Sequence, residues 1–242
     1  MKTIIITGCP RTGTTALTSL LYHSSNALVT NELATFHPNK QELLKNLNKP
    51  LNEDNTRALE LKGWSKEQLQ DFIDHKFKDS RIELFGDKRP DYCCNHYNMH
   101  YLIKTYPDAF FIFTHRDPCA TVYSFLKRSQ DEPQKSADWY AETAEEAINK
   151  IIKWNTNWST LFYPKVKNKI IINYDIYINQ PLHLINILEQ FTQTKLDIHQ
   201  PENLYCHPNP DDFKNKLTKK EQNIIYTKYM PLINHIQSLC TI

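Results

Sequence analysis

The sequence is poor in the signals that take a chain out of water or tie it together covalently. No run approaches the ~18–20 consecutive apolar residues that a membrane span needs. The apolar IIIT near the start is short, a single lysine precedes it and a glycine turn follows, so no secretory signal peptide is expected. Six cysteines (Cys9, Cys93, Cys94, Cys119, Cys206, Cys240) are scattered without framework spacing. They read as free thiols of a reducing compartment, and the chain is expected to be cytoplasmic. Glycine is scarce, four in 242 residues. No Gly/Ser linker, internal repeat or low-complexity tract divides the sequence, and one domain spanning 1–242 is expected. Charge of either sign is nearly balanced at a formal +2. That is too mild for a general nucleic-acid binder, whose affinity comes from many phosphate contacts, yet it leaves room for a local basic pocket for a small anion. Hydrophobic content of 40% and charged content of 23% are ordinary for a globular chain.

What is present is an alternation of short apolar runs and amphipathic stretches. Lys2–Thr7 reads as a buried strand and Thr14–His23 as a helix with Leu17, Leu20 and Leu21 on one face. Ala27–Asn31 and Arg81–Gly86 are strand candidates, and AFFIFT, Ala109–Thr114, has the length and composition of a strand buried on both faces. Lys169–Asn173 is the fifth. Helices are expected at Asn95–Thr105, at Asp117–Arg128 with Asp117 as cap, at Asp138–Phe162 as the longest, at Leu182–Phe191, and from Thr218 with Pro231 as an interruption. Residues 36–80 are polar and lysine-rich and read as a helical insertion shaping an acceptor site, with Lys66–Lys78 its best helix. Strands alternating with helices imply an α/β fold with a mainly parallel sheet covered on both faces.

The stretch TGCPRTGTT, Thr7–Thr15, falls between the first strand and the first helix. Gly8 and Gly13, with four residues between them, suit a cradle in which backbone N–H groups and a helix N-terminus converge on an anion. The lysine that a triphosphate-binding loop places after its second glycine is missing, and Thr14 stands there. The positive charge comes earlier, on Arg11. Such a loop suits an anion less charged than a triphosphate, held without a metal.

Gly-x-Pro-Arg-x-Gly-Thr-Thr in this position resembles the 5′-phosphosulfate loop of sulfotransferases that use 3′-phosphoadenosine 5′-phosphosulfate (PAPS). The resemblance implies a three-layer α/β/α fold like that of P-loop kinases, and a donor site including Pro10, Arg11, Thr12, Gly13, Thr14 and Thr15. It continues through YPDAFFIFTHRDPCATVYSFL, Tyr106–Leu126. There the family ends a strand in Arg-Asp-Pro and places a serine eight residues after the arginine; here these are Arg116 and Ser124, implied to hold the 3′-phosphate by a charge-assisted pair and a hydroxyl. Tyr174-Asp175-Ile176 resembles the family's Tyr-Glu-Asp-Leu segment, which makes Tyr174 either an adenine contact or a core tyrosine.

For the chemistry, VTNELATF places Glu32 just after the second strand. In the tyrosylprotein and several carbohydrate sulfotransferases a glutamate at this place is the base. Cytosolic small-molecule members use instead a histidine after the third strand, where this chain reads Gly86-Asp87-Lys88-Arg89-Pro90, without one. Lys88 matches the Lys-x-Pro of the tyrosylprotein branch. The resemblance therefore assigns Glu32 as base, with Arg11 and Lys88 stabilising charge at the sulfuryl group. His37 is a rival base, and Lys214 or Lys216 a candidate to complete the 3′-phosphate site. No metal is required. His96 and His100, four apart with Cys93 nearby, fit an amphipathic helix as well as a zinc site. The acceptor is expected to be a small molecule, lipid or carbohydrate rather than a nucleic acid. A small-molecule or nucleoside kinase and a non-catalytic adenosine-bisphosphate-binding module stay open as alternatives.

Overall fold

The computed structural model describes residues 1–32, 81–94, 96–131, 133, 139–198 and 216–239. Five strands, β1 (Lys2–Gly8), β2 (Ala27–Asn31), β3 (Leu84–Lys88), β4 (Phe110–His115) and β5 (Asn168–Asn173), form one sheet in the order β2-β3-β1-β4-β5. Every pairing in it is parallel. Helices α1 (Thr14–Tyr22), α2 (His96–Thr105), α3 (Pro118–Asp131), α4 (Ala144–Thr156), the short α5 (Tyr174–Tyr177), α6 (Pro181–Thr192) and α7 (Lys219–Leu239) accompany it.

The period-2 alternation of a strand splits the apolar residues between two cores. Ile4 and Ile6 of β1 with Ile112 of β4 face Leu17, Leu20, Leu184 and Leu188 of α1 and α6. Ile5 of β1 with Phe111 and Phe113 of β4 faces α2, α3, α4 and α7, through residues such as Leu102, Phe125, Ile151 and Ile225. All of these are essentially inaccessible to water, and each contributes about 1.5–3 kcal/mol of burial energy. The result is the three-layer arrangement expected. Phe113 stacks on Trp158 in the second core and Tyr163 meets both rings edge-on, while Trp154 is buried in the same core.

Three expectations need correction. The third strand is Leu84–Lys88, not Arg81–Gly86, because the buried Asp87 and Lys88 find polar partners that hold them in the sheet. The long helix starts at Ala144, where the N-cap Thr143 accepts from the Glu146 N–H and Glu146 Oε2 accepts from the N–H of Glu142, the residue before the cap. It then widens into a π-helical stretch, Asn157–Phe162. Pro231 lies inside α7, the longest described helix, at an exposed position that tolerates its missing N–H. The expected insertion over 36–80, His37 and Lys214 lie outside the described residues.

Candidate active site

In a parallel sheet of this kind ligands bind beyond the carboxyl ends of the strands. Several of the expected site residues lie there, with Ser124 two turns into α3. The Thr7–Thr15 loop follows β1, Glu32 follows β2, Lys88 is the last residue of β3, Arg116 follows β4 and Tyr174 follows β5.

The loop after β1 is shaped by two glycines. Gly8 has φ +143°, and a Cβ there would sit 2.7 Å from Thr114 Oγ1 and 2.8 Å from the Thr114 carbonyl oxygen, so only glycine lets β1 end against β4. Thr12 Oγ1 donates to the Cys9 carbonyl or shares a proton with Thr114 Oγ1, each at 2.6 Å, which pins the loop from within. Gly13, at φ +88°, is the N-cap of α1. It brings no side-chain acceptor, and the first turn has no acidic residue, so the positive end of α1 is available to an anion. Pro10, Thr12 and Thr14 are buried, Thr15 half-buried.

Arg11 adopts φ +68° and Glu32 φ +59°, two of the three non-glycine residues in the left-handed region among those described. Such conformations cost of order ~1 kcal/mol or more and persist where the surroundings impose them. For Arg11 the outcome is a side chain whose Nε donates to Ser124 Oγ at 2.9 Å, joining the first loop to α3. Arg11 and Ser124 thus pair directly. For Glu32 the turn brings its carboxylate to Lys88: Nζ donates to Oε1 at 2.6 Å, while the Glu32 N–H donates to the Lys88 carbonyl at 2.8 Å. The Lys88 side chain is 2% exposed and that of Glu32 47%, so the pair has a buried ammonium and a carboxylate reaching solvent. Partial burial acts to raise the Glu32 pKa, but Lys88, Arg89 and Arg11 outweigh it and hold the carboxyl below its ordinary value. Glu32 is ionised at neutral pH and able to accept a proton.

Arg116 is buried to within 13% of its surface. Its guanidinium lies over the Tyr174 ring at 4.5 Å, Nη1 donates to the Arg11 carbonyl at 3.4 Å, and Nε faces Asp175 Oδ1 at 3.7 Å, too far for a hydrogen bond. A buried guanidinium N–H without a hydrogen bond is a donor awaiting an acceptor. Tyr174 is itself buried and supports the arginine from below.

Sequence reasoning passed over two groups. Asp87 is wholly buried; Thr30 Oγ1 donates to Oδ1 at 2.6 Å and the Tyr92 hydroxyl to Oδ2 at 2.5 Å. Burial raises its pKa to about 6, against the opposing pull of the two hydroxyls and Arg89 and with the help of Glu32. The native fold therefore favours protonated Asp87, and this preference is fully present below the ordinary value near 4. It is lost as pH rises through about 6, a change of order ~3 kcal/mol. Asp87→Asn, which keeps an acceptor for Thr30, is expected to flatten that decline; urea midpoints between pH 4 and 7.5 check it, and parallel pH profiles in the two proteins would contradict it. The other overlooked residue is Arg89, whose Nε donates to Asp91 Oδ1 at 2.5 Å beside the Glu32–Lys88 pair. The available signal for both was the charged run Asp87-Lys88-Arg89 closing a strand that opens on Leu84 and Phe85.

Among the described residues no cluster of histidine, cysteine and carboxylate side chains has metal-binding geometry; His96 stacks on His100 at 6.4 Å and tilts against Phe162. Lys216 is exposed. No described helix is long and apolar enough to cross a membrane.

A profile described as "Sulfotransferase family" matches residues 3–197. The chain belongs to the sulfotransferase family. Among solved structures, the sulfotransferase domain of the Synechococcus PCC 7002 olefin synthase is similar at TM-score 0.58 and 16% identity, over 95% of this chain and 94% of that one. The sulfotransferase domain of the curacin biosynthetic pathway gives 0.56 and 17%, over 95% and 98%. A sulfotransferase from Alicyclobacillus acidocaldarius gives 0.58 and 13%, over 99% and 95%. These identities speak for the fold. A search of curated protein sequences finds no match. As a sulfotransferase, the chain has its matched region run from β1 past β5, and so includes every strand end described above.

Proposed function

We propose that the chain transfers a sulfuryl group from PAPS to a hydroxyl or amine of a small-molecule, lipid or carbohydrate acceptor, releasing adenosine 3′,5′-bisphosphate. The observation that carries this reading is the convergence at one sheet edge of an anion cradle, two arginines and a lysine–glutamate pair. The donor set is cationic, hydroxyl and backbone N–H, which fits a bisphosphate with a sulfuryl group; the unfilled Arg116 Nε and the acid-free start of α1 are where anionic oxygens are accommodated.

When bound, the donor supplies an activated sulfuryl group on a phosphate leaving group. The residues of the chain do the rest. The loop amides and Arg11 hold the 5′ end, Arg116 and Ser124 the 3′-phosphate, and Tyr174 supports the adenosine end. Glu32 takes the proton of the acceptor hydroxyl or amine on its carboxylate. Lys88, buried and paired with Glu32, would place a positive charge where negative charge grows on transfer. Drawing Lys88 away from Glu32 as that charge develops raises the basicity of the carboxylate at the moment a proton must be taken.

Calorimetric titration with adenosine 3′,5′-bisphosphate beside ATP–Mg²⁺ tests this. Tight binding of the bisphosphate and little of ATP–Mg²⁺ is expected. Preference for ATP–Mg²⁺ would sink the reading and indicate a kinase. Tight bisphosphate binding with no transfer from PAPS to any of a broad acceptor panel would leave a binding module.

A further inference from the structure

The Arg116-Asp117-Pro118 turn is gripped from a helix that the family profile does not reach. The profile ends at residue 197, and α7 spans Lys219–Leu239. The Tyr226 hydroxyl on α7 donates to Asp117 Oδ2 at 2.7 Å. Asp117 Oδ1 accepts from the Ala120 N–H at 2.8 Å, which caps the start of α3. The Asp117 N–H in turn donates to Asp175 Oδ2 at 2.8 Å, and Asp175 Oδ1 is the carboxylate oxygen facing Arg116. One carboxylate therefore fixes the start of the helix that carries Ser124, and is tied through its backbone to the group that aims Arg116.

The face of α7 that does this is anchored. Ile225, Tyr229 and Ile236 are fully buried, and Tyr229, one turn beyond Tyr226, packs its ring along His115 at 6.2 Å and accepts from Asn155 Nδ2 at 2.6 Å. Burial and the Asp117 carboxylate push the Tyr226 pKa well up, so the hydroxyl stays a donor across the working range.

We propose that Tyr226 is a positioning residue for the 3′-phosphate half of the donor site, acting through Asp117 on Ser124 and Arg116. The proposal rests on the sulfotransferase reading above. Without the hydroxyl, Asp117 Oδ2 loses its donor, and a carboxylate seeking a replacement lies one residue from Arg116. Both the placement of α3 and the charge available to a 3′-phosphate suffer, whereas the 5′ cradle of β1 and α1 feels the change only through Arg11, which bonds Ser124 and Arg116.

The test compares wild type, Tyr226→Phe and Tyr229→Phe in calorimetric titrations with adenosine 3′,5′-bisphosphate and with adenosine 5′-monophosphate. Both variants remove one hydroxyl from the same face of α7, but only Tyr226 bonds Asp117. Tyr226→Phe is expected to bind the bisphosphate about fivefold more weakly, with monophosphate affinity changed far less, and to raise KM for PAPS at nearly unchanged kcat. Tyr229→Phe is expected to show no such selectivity. If Tyr226→Phe binds both ligands as wild type does, or loses both equally, the positioning role is wrong while the sulfotransferase reading stands. If wild type itself does not distinguish bisphosphate from monophosphate, both are overturned.

Discussion

Glu32→Gln is expected to lower the turnover of sulfuryl transfer by ~10²–10⁴ while leaving adenosine 3′,5′-bisphosphate affinity nearly unchanged. The amide keeps the size of the side chain, and its oxygen still accepts from Lys88 Nζ, now at 2.6 Å from the carboxylate. The Glu32 N–H keeps its bond to the Lys88 carbonyl. What disappears is the one property the proposal needs, a carboxylate basic enough to take the acceptor's proton. Steady-state kinetics with PAPS, paired with calorimetry on the same variant, measures both halves. The pH profile gives a second reading. Lys88, Arg89 and Arg11 hold the Glu32 carboxyl below its usual range, so kcat/KM of wild type should fall only at acid pH. Turnover retained in Glu32→Gln, with an inflection near ~6–7, would instead make His37 the base.

Arg116→Ala is expected to weaken bisphosphate binding by ~10²-fold and to change adenosine 5′-monophosphate binding far less. The guanidinium is 13% exposed, backed by the Tyr174 ring and held toward the Arg11 carbonyl, so it enters the complex with little left to order. Its buried Nε makes no hydrogen bond, and a phosphate oxygen would satisfy it. Removing it also leaves the Asp175 carboxylate facing the incoming phosphate without its cation, which adds repulsion to the lost attraction. Equal affinities of wild type and variant for the bisphosphate would remove the 3′-phosphate from this place.

Much of the layout is legible in the sequence because the strands advertise themselves. AFFIFT alternates large side chains into two cores, and the glycine loop after KTIIIT leads into a helix as such a loop should. Where the reading fails, tertiary contacts overrule local preference. Gly-Asp-Lys is poor strand material, yet hydroxyls from Thr30 and Tyr92 and the carboxylate of Glu32 make the end of β3 a good place for it. The Thr143–Glu146 cap was readable but lay inside a longer apolar stripe that promised one continuous helix. The candidate site is legible in its residue types and not in its pairings. That Arg11 joins Ser124, that Glu32 turns back onto Lys88, and that Asp117 is held from α7 all depend on backbone angles and sequence separations that no short pattern encodes.

The left-handed backbone at Arg11 and Glu32 has a consequence for how this chain evolves. Glycine at either position relaxes the local strain, so pressure for robustness alone favours losing the very side chains that the proposed reaction uses. Under the proposed reaction, an arginine and a glutamate in such postures trade fold stability for chemistry, and Arg11→Gly or Glu32→Gly would yield a sturdier and inert fold.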